Sequence, residues 1–347
     1  MRLIINTAND ELLIVLTTEN GIFHVSNSSP MHHNETLLPL VDKLLKDHNL
    51  DINDIDEYGV VIGPGSFTGV RVGIATVKAF RDANNNIAKG INNLDYLFAL
   101  AKSKNPDIKT VAIKGTRDSY FVATEILGQK YIYDHNLTLE ELKQVSNNEM
   151  VGMFKQDDEI NCFVVENNAE ILNQCYNDSA DTSLVPVYYQ LSQAENDKLK
   201  RLDLVYRQAT TNELDQILSI EKYNILSNHM SKTDIETALN DKNYKTFVAV
   251  VEDKVIGYVI LQITDEINIE SIAVDKDYRN LGIATKLIET AKDFSKTIKI
   301  DTISLEVNKT NLKAYVLYKK LGFELRRERK NYYADGSNCL EMILKIN

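Results

Sequence analysis

A chain of 347 residues with 44% hydrophobic side chains has the length for two or three compact domains and is too apolar to be disordered. No apolar run reaches the roughly 18 residues of a membrane helix, and Asp10 and Glu11 interrupt the apolar start before a signal-peptide core can form, so a cytoplasmic protein is expected. Residues 1–200 hold 17 Lys and Arg against 28 Asp and Glu, which accounts for the whole net charge of −11, while residues 201–347 hold 22 of each; the acidic part repels phosphate and is not expected to grip RNA unaided.

The chain opens on strand-like runs at residues 3–6, 12–17 and 21–25, parted by Ala8-Asn9-Asp10 and Glu19-Asn20-Gly21. Leu37, Leu38, Leu40, Val41, Leu44 and Leu45 recur at helical spacing, and the helix should fade near His48-Asn49. A short buried strand at residues 60–62 runs into Gly63-Pro64-Gly65-Ser66-Phe67-Thr68-Gly69 and then a helix. This loop lacks the Gly-Lys-Ser/Thr ending that grips phosphate and magnesium, so it reads as a tight turn with Thr68 capping the helix. Val70, Ile74 and Val77 form an apolar stripe along that helix, suited to a core or to a partner interface, with Arg71 and Lys78 outside it.

A similar alternation runs from Val111 to about Tyr189, although no internal repeat survives a residue-by-residue comparison. The polar stretch at residues 193–203 reads as a linker. Beyond it the pattern predicts a strand, helices at 214–220 and 233–239, and strands at 246–251, 255–263 and 269–274. A helix at 283–294, a strand at 302–307, a helix at 312–321 and a terminal hairpin complete it. Cys162, Cys175 and Cys339 are scattered without ligand spacing, and no metal site is expected.

The strongest constellation runs from Ile272 to Thr285. A strand ends, a loop turns, and a helix begins among small residues. Unpaired N–H groups at such a helix start, with the helix dipole, bind phosphate. Arg279, Gly282 and Ala284 stand at R-x-x-G-x-A spacing, which keeps bulk away from the backbone. This resembles the acyl-CoA loop of the GNAT acetyltransferases. Further on stand Leu305-Glu306-Val307, then Asn311, Ala314, Leu317, Tyr318, Gly322 and Phe323, then Arg329-Lys330-Asn331-Tyr332-Tyr333. In this order, across residues 204–347, the segment resembles the RimI-like branch, which acetylates the N-terminal amine of a small-subunit ribosomal protein.

The chemistry gives several residues a role. A protein α-amine has a pKa of about 8 and must lose a proton before attacking a thioester. Glu306, at a strand end, is placed to take that proton, and Tyr318 to protonate the departing thiolate. The resemblance implies acetyl-CoA as cofactor, held by Ile272, Val274, Arg279, Asn280, Gly282, Ile283, Ala284, Thr285, Asn311 and Tyr318, with Asn311 either contacting it or fixing the loop, and with Tyr332 and Tyr333 on the substrate peptide. Read as a strand, the tyrosine pair would point to opposite faces. RimI-like sequences place an aromatic or Pro-Trp element after the first helix; residues 224–231 here have neither, and the chain has no Trp. Arg326, Arg327, Arg329 and Lys330 read either as a basic patch or as the charged protection of an edge strand.

In the first half, Ile4-Ile5-Asn6-Thr7-Ala8, His33 with Leu37-Leu38-Pro39, the string from Gly63 to Gly73, and Pro186-Val187-Tyr188-Tyr189 together resemble the TsaB family across residues 1–192. The resemblance implies an actin/Hsp70-like two-lobed fold that pairs with a TsaD-like subunit, which installs threonylcarbamoyl on tRNA, and with a TsaE-like ATPase. The tRNA would be reached only through that complex. Asn6 replaces the usual first-strand Asp, Leu37 stands where the catalytic relative has a second metal-binding His, and Gly115 replaces an acid ahead of Arg117. A non-catalytic scaffold is therefore expected, with Val70, Ile74 and Val77 as the partner interface.

The expectation is an α/β chain in four parts: lobes at 1–100 and 101–192, a linker at 193–203, and a GNAT domain with a mixed central sheet at 204–347. An acetyl-CoA-binding module without activity, and an acetyltransferase acting on a small amine, remain compatible with these residues.

Overall fold

The computed structural model describes residues 1–28, 33–116, 118–187, 203–224 and 229–346. Arg117, Tyr188, Tyr189, all but the last residue of the expected linker, and 225–228 of the expected acceptor stretch lie outside the described residues. Contacts divide the chain into two compact units, Met1–Leu191 and Ser192–Asn347.

In the first unit β1 (Arg2–Asn6), β2 (Leu12–Thr18) and β3 (Gly21–Asn27) form an antiparallel meander. β4 (Glu57–Val61) and β5 (Ile87–Ile91) extend it in parallel, in the order β3-β2-β1-β4-β5. Leu3, Ile4, Ile5, Val60 and Val61 are all fully buried, because inner strands covered on both faces read as continuous apolar runs. The same plan recurs in β6 (Thr110–Lys114), β7 (Ser119–Ile126), β8 (Gln129–Ile132), β10 (Val151–Met153) and β11 (Cys162–Val164), ordered β11-β10-β6-β7-β8, with the short β9 (Leu137–Thr138) on β7. Three antiparallel strands are again followed by two parallel ones. The topology therefore repeats although the residues do not, since strand order needs apolar runs between turns and not particular side chains. The helices are α1 (His33–Lys46), α2 (Phe67–Asn84), α3 (Asn93–Lys104), α4 (Leu139–Val145) and α5 (Ala169–Asp178). The lobe boundary expected at residue 100 falls inside α3, whose Leu97, Leu100 and Ala101 are buried in one core with residues of both sheets.

Two expectations about α2 are corrected. Its cap is Ser66, whose hydroxyl accepts the Gly69 N–H at 3.2 Å, and not Thr68. Val70, Ile74 and Val77 are 3%, 4% and 0% exposed in the unit's own core, so they are not a partner surface. The loop before the helix is glycine-rich for lack of room: a Cβ on Gly65 would stand 2.3 Å from the Ala8 carbonyl oxygen, and one on Gly69 2.0 Å from that of Thr7.

The second unit is built on one mixed sheet, β12 (Val205–Gln208), β13 (Tyr244–Val251), β14 (Lys254–Ile263), β15 (Ile267–Val274), β16 (Thr302–Asn308), β17 (Glu324–Arg329) and β18 (Cys339–Lys345), ordered β12-β13-β14-β15-β16-β18-β17. Every neighbouring pair is antiparallel except β15 and β16. α6 (Leu214–Asn224) and α7 (Lys232–Asn240) bury Ile217, Ile220, Ile235 and Ala238 against Val248, Tyr258 and Ile260. Gly257, next to Tyr258 and so on the opposite face, meets Ile283 and Leu287 of α8 (Ile283–Ile298); a Cβ there would be 3.2 Å from Ile283. α9 (Leu312–Lys320) connects β16 to β17.

Candidate active site

β15 and β16 pair only from Ile267–Ile303 to Ile269–Leu305. Beyond that point β15 continues along β14 to Val274 and β16 along β18 to Asn308, so the two strands part and bare backbone groups toward each other. A register shift between Ile260 and Leu261 bends β15 where the parting begins. An opening edged by unpaired backbone can take an amide-bearing arm lying along β15. Ile272 and Val274 are half-buried on that strand.

At its end Asp275 caps a 3-10 turn and binds Lys254 at 2.9 Å. Burial alone would push the Asp275 carboxyl up, but Lys254 and the Asp277 N–H hold it below the usual range. Asn280 (φ 65) and Gly282 (φ 76) turn the chain into α8. A Cβ on Gly282 would meet no atom within 4 Å, so open space lies over it. No side chain caps α8, and its first internal hydrogen bond runs from Lys286 N–H to the Gly282 oxygen at 3.0 Å. The preceding N–H groups have no helical carbonyl to reach, which suits a phosphate. Ala284 and Thr285 are half-buried there; Ile283, 1% exposed, turns its side chain into the core and leaves only its backbone for a ligand. The exposed Arg279 reaches the Val274 oxygen at 3.4 Å.

Lys313 donates to Asn280 Oδ1 at 2.8 Å and so ties this loop to the first turn of α9, a contact that the sequence reading missed. Asn311, expected to contact the cofactor or fix the loop, caps α9: its Oδ1 accepts the Ala314 N–H at 3.2 Å. Tyr318 is 7% exposed with its ring 5.7 Å from Phe323. Burial pushes its phenol up to about 12.

Glu306 is exposed on β16 opposite Glu341 of β18 and is ion-paired with Arg329. Tyr332 and Tyr333 are not in a strand. They occupy the turn between β17 and β18, both N–H groups donating to the Ser337 oxygen at 3.0 and 3.1 Å, with their rings 5.2 Å apart and perpendicular. The turn forms because Ser337 gathers both N–H groups, so strand alternation does not apply. Nor do the arginines make an open basic patch. Arg326 binds Glu266 and Glu341, Arg327 binds Glu341, and β17 is the sheet's edge. Burial would raise the Glu341 carboxyl, yet Arg327 and Arg326 hold it below the usual range.

In the first unit His33 Nε2 lies 3.0 Å from the Asp10 carbonyl oxygen, and burial lowers its pKa against a backbone hydrogen bond with Thr7 that raises it. Asn6 is fully buried: its Oδ1 accepts the Ala8 N–H and its Nδ2 has no partner among the described residues. Among the described residues no three His, Cys, Asp or Glu gather as metal ligands, and no helix is long and apolar enough to cross a membrane.

Residues 211–323 match the family model of the acetyltransferase (GNAT) family, and residues 25–176 that of tRNA N6-adenosine threonylcarbamoyltransferase. The chain is 32% identical over 163 residues to an N-alpha-acetyltransferase of Saccharolobus solfataricus, spanning 43% of this chain and 96% of that relative. It is 34% identical over 110 residues to the ribosomal protein bS18-alanine N-acetyltransferase of Escherichia coli, spanning 30% of this chain and 74% of the relative. Similar solved structures include the Escherichia coli ribosomal-protein-S18-alanine N-acetyltransferase, at 28% identity and a TM-score of 0.39 over 42% of this chain and 94% of that one. Another is a Pseudomonas aeruginosa protein described as similar to peptidase YEAZ, at 18% identity and a TM-score of 0.44 over 55% and 99%.

Proposed function

Through its second unit the chain belongs to the GNAT acetyltransferase family, here fused to a TsaB/YeaZ-like domain, and we propose that it acetylates the α-amine of protein N-termini, a ribosomal protein's among them. The observation that carries this reading is the parting of β15 from β16 beside the uncapped start of α8. Acetyl-CoA, when bound, supplies an acetyl group as a thioester. The N–H groups at the start of α8 suit its pyrophosphate, with Arg279 and Lys313 adding positive charge nearby, and the bared edge of β15 at Ile272 and Val274 suits its amide-bearing arm.

Glu306, directly or through one water, takes the proton that the acceptor's ammonium loses before its nitrogen attacks the acetyl carbonyl. As the new C–N bond forms and the C–S bond breaks, the Tyr318 hydroxyl gives its proton to the sulfur. Collapse to the amide frees a second proton from nitrogen, which solvent passes to the Tyr318 phenolate, and Glu306 releases its own proton to solvent, so the cycle balances. A phenol held at about 12 stays protonated for this role at neutral pH. Tyr332 and Tyr333, on a turn pinned by Ser337, bind the acceptor's backbone.

The first unit, in this reading, is a non-catalytic cytoplasmic scaffold that pairs with a TsaD-like subunit and a TsaE-like ATPase and meets tRNA only through them. Supporting this, His33 is engaged with the Asp10 carbonyl and Leu37 is buried. With Val70, Ile74 and Val77 in the core, the part of α2 left for a partner is its first turn, where Phe67, 58% exposed, lies under Arg71 at 3.8 Å.

Transfer from labelled acetyl-CoA to a peptide copying a ribosomal acceptor's N-terminus tests the enzyme reading, comparing wild type with Tyr318→Phe. Loss of about a hundredfold in kcat in the variant is expected. Transfer to small amines with none to peptides would overturn the peptide acceptor.

A further inference from the structure

One side chain joins the strand that carries Glu306 to the turn that carries Tyr332. Arg329 closes β17 and donates through Nη2 to Glu306 Oε1 and, at 3.4 Å, to Glu341 Oε2. Its guanidinium carbon stands 4.4 Å from the centre of the Tyr332 ring. Its Nε is buried and has no acceptor among the described residues. Register explains the meeting: Glu306 lies opposite Glu341, Glu341 lies opposite Arg327, and Arg329 follows two residues later on the same face. Glu341, 7% exposed, already has Arg326 and Arg327, so the charge of Arg329 is directed to Glu306.

We infer that Arg329 is a positioning residue for acetyl transfer, holding Glu306 ionised and oriented while its planar face holds the Tyr332 ring in place against the acceptor peptide. This rests on Glu306 being the proton acceptor of the proposed reaction. Facing Glu306 are Glu341, its register partner on β18, and Arg329 of β17, which is ion-paired with it, while Arg327 is paired with Glu341. Glu341 favours a proton on Glu306, and the paired cation opposes it. Without Arg329 the base would hold its proton to higher pH.

The full-length protein tests this through the pH dependence of kcat/KM on an N-terminal peptide. Its logarithm falls with slope one below the amine's pKa and slope two below that of an essential carboxylate. In Arg329→Gln the break between the slopes should rise by about one pH unit, and the peptide KM about tenfold, with the acetyl-CoA KM unchanged. In Arg329→Lys the break should return to the wild-type pH while the peptide KM stays raised, because charge is restored and the planar face against Tyr332 is not. An unmoved break in Arg329→Gln, with Glu306→Gln still losing about a hundredfold in kcat, overturns the role of Arg329 and leaves the base in place. Full activity in Glu306→Gln overturns the base itself, a separate result. An unchanged peptide KM in Arg329→Lys overturns the acceptor contact, and this arm stands alone should the Gln variant fail to fold.

Discussion

The Tyr258 hydroxyl donates to the carboxylate of Glu221, which is 1% exposed inside the second unit. The same carboxylate accepts the Ser271 hydroxyl at 2.9 Å and the Met230 N–H at 2.7 Å. Burial first, then the Glu221 charge, push the Tyr258 phenol above its ordinary range. A buried carboxylate is tolerable only with such donors, and here they hold α6 to β14, β15 and the residues before α7. Tyr258→Phe removes one donor and should lower stability by about 1–3 kcal/mol. Calorimetry of the full chain reads this as a lower midpoint for one transition, and an unchanged midpoint would count against it.

Gly282 separates backbone strain from ligand approach. Its φ of 76° lies in the left-handed region, yet a Cβ would touch nothing. Gly282→Ala should cost about 1–2 kcal/mol of strain, and Gly282→Asn less, because Asn tolerates that conformation. If coenzyme A lies over this residue, both variants should raise the acetyl-CoA KM about tenfold with the peptide KM unchanged. An acetyl-CoA KM that tracks stability instead would move the pyrophosphate site elsewhere.

The parts of the second unit that were legible in the sequence are those carried by local pattern. The strand, loop and helix from Ile272 to Thr285 lie in the expected order because apolar period and small residues act within one segment. What required register was not legible. Nothing in residues 324–341 read singly says that Arg329 reaches across β18 to Glu306, or that Glu341 collects Arg326 and Arg327. Periodicity also failed for α2 in a particular way: it reports that Val70, Ile74 and Val77 are covered, not whether this chain or another covers them. Asn311 shows a third limit, since the sequence left open whether it meets the cofactor or fixes the loop, and only the fold shows its Oδ1 on the Ala314 N–H of its own helix.

Tyr318 sets a pH expectation whose sign follows from burial. Its phenol is raised to about 12, so the folded protein holds this proton where an unfolded chain, with a tyrosine pKa near 10, releases it. Its contribution to stability is therefore complete below about pH 10 and lost as pH rises from there toward 12. Catalysis should lose no Tyr318 proton over the same lower range, so kcat should stay level from pH 8 to about pH 10. A basic limb near pH 8 in wild type, absent in Tyr318→Phe, would show a phenol far more acidic than its burial implies.

The first turn of α2 and its middle give opposite expectations for two residues seven positions apart. Ile74 is 4% exposed in the core, so Ile74→Ala should cost about 2–5 kcal/mol through a cavity, and any loss of partner binding would follow unfolding. Phe67 is 58% exposed beneath the Arg71 guanidinium, so Phe67→Ala should change stability by no more than about 0.5 kcal/mol. Affinity for a TsaD-like subunit, read by titration calorimetry, should nevertheless fall about tenfold, because an exposed aromatic under a guanidinium is the type of side chain that anchors an interface. Wild-type affinity in Phe67→Ala would place the partner on another face, since the stripe at Val70, Ile74 and Val77 is already occupied by the unit's own core.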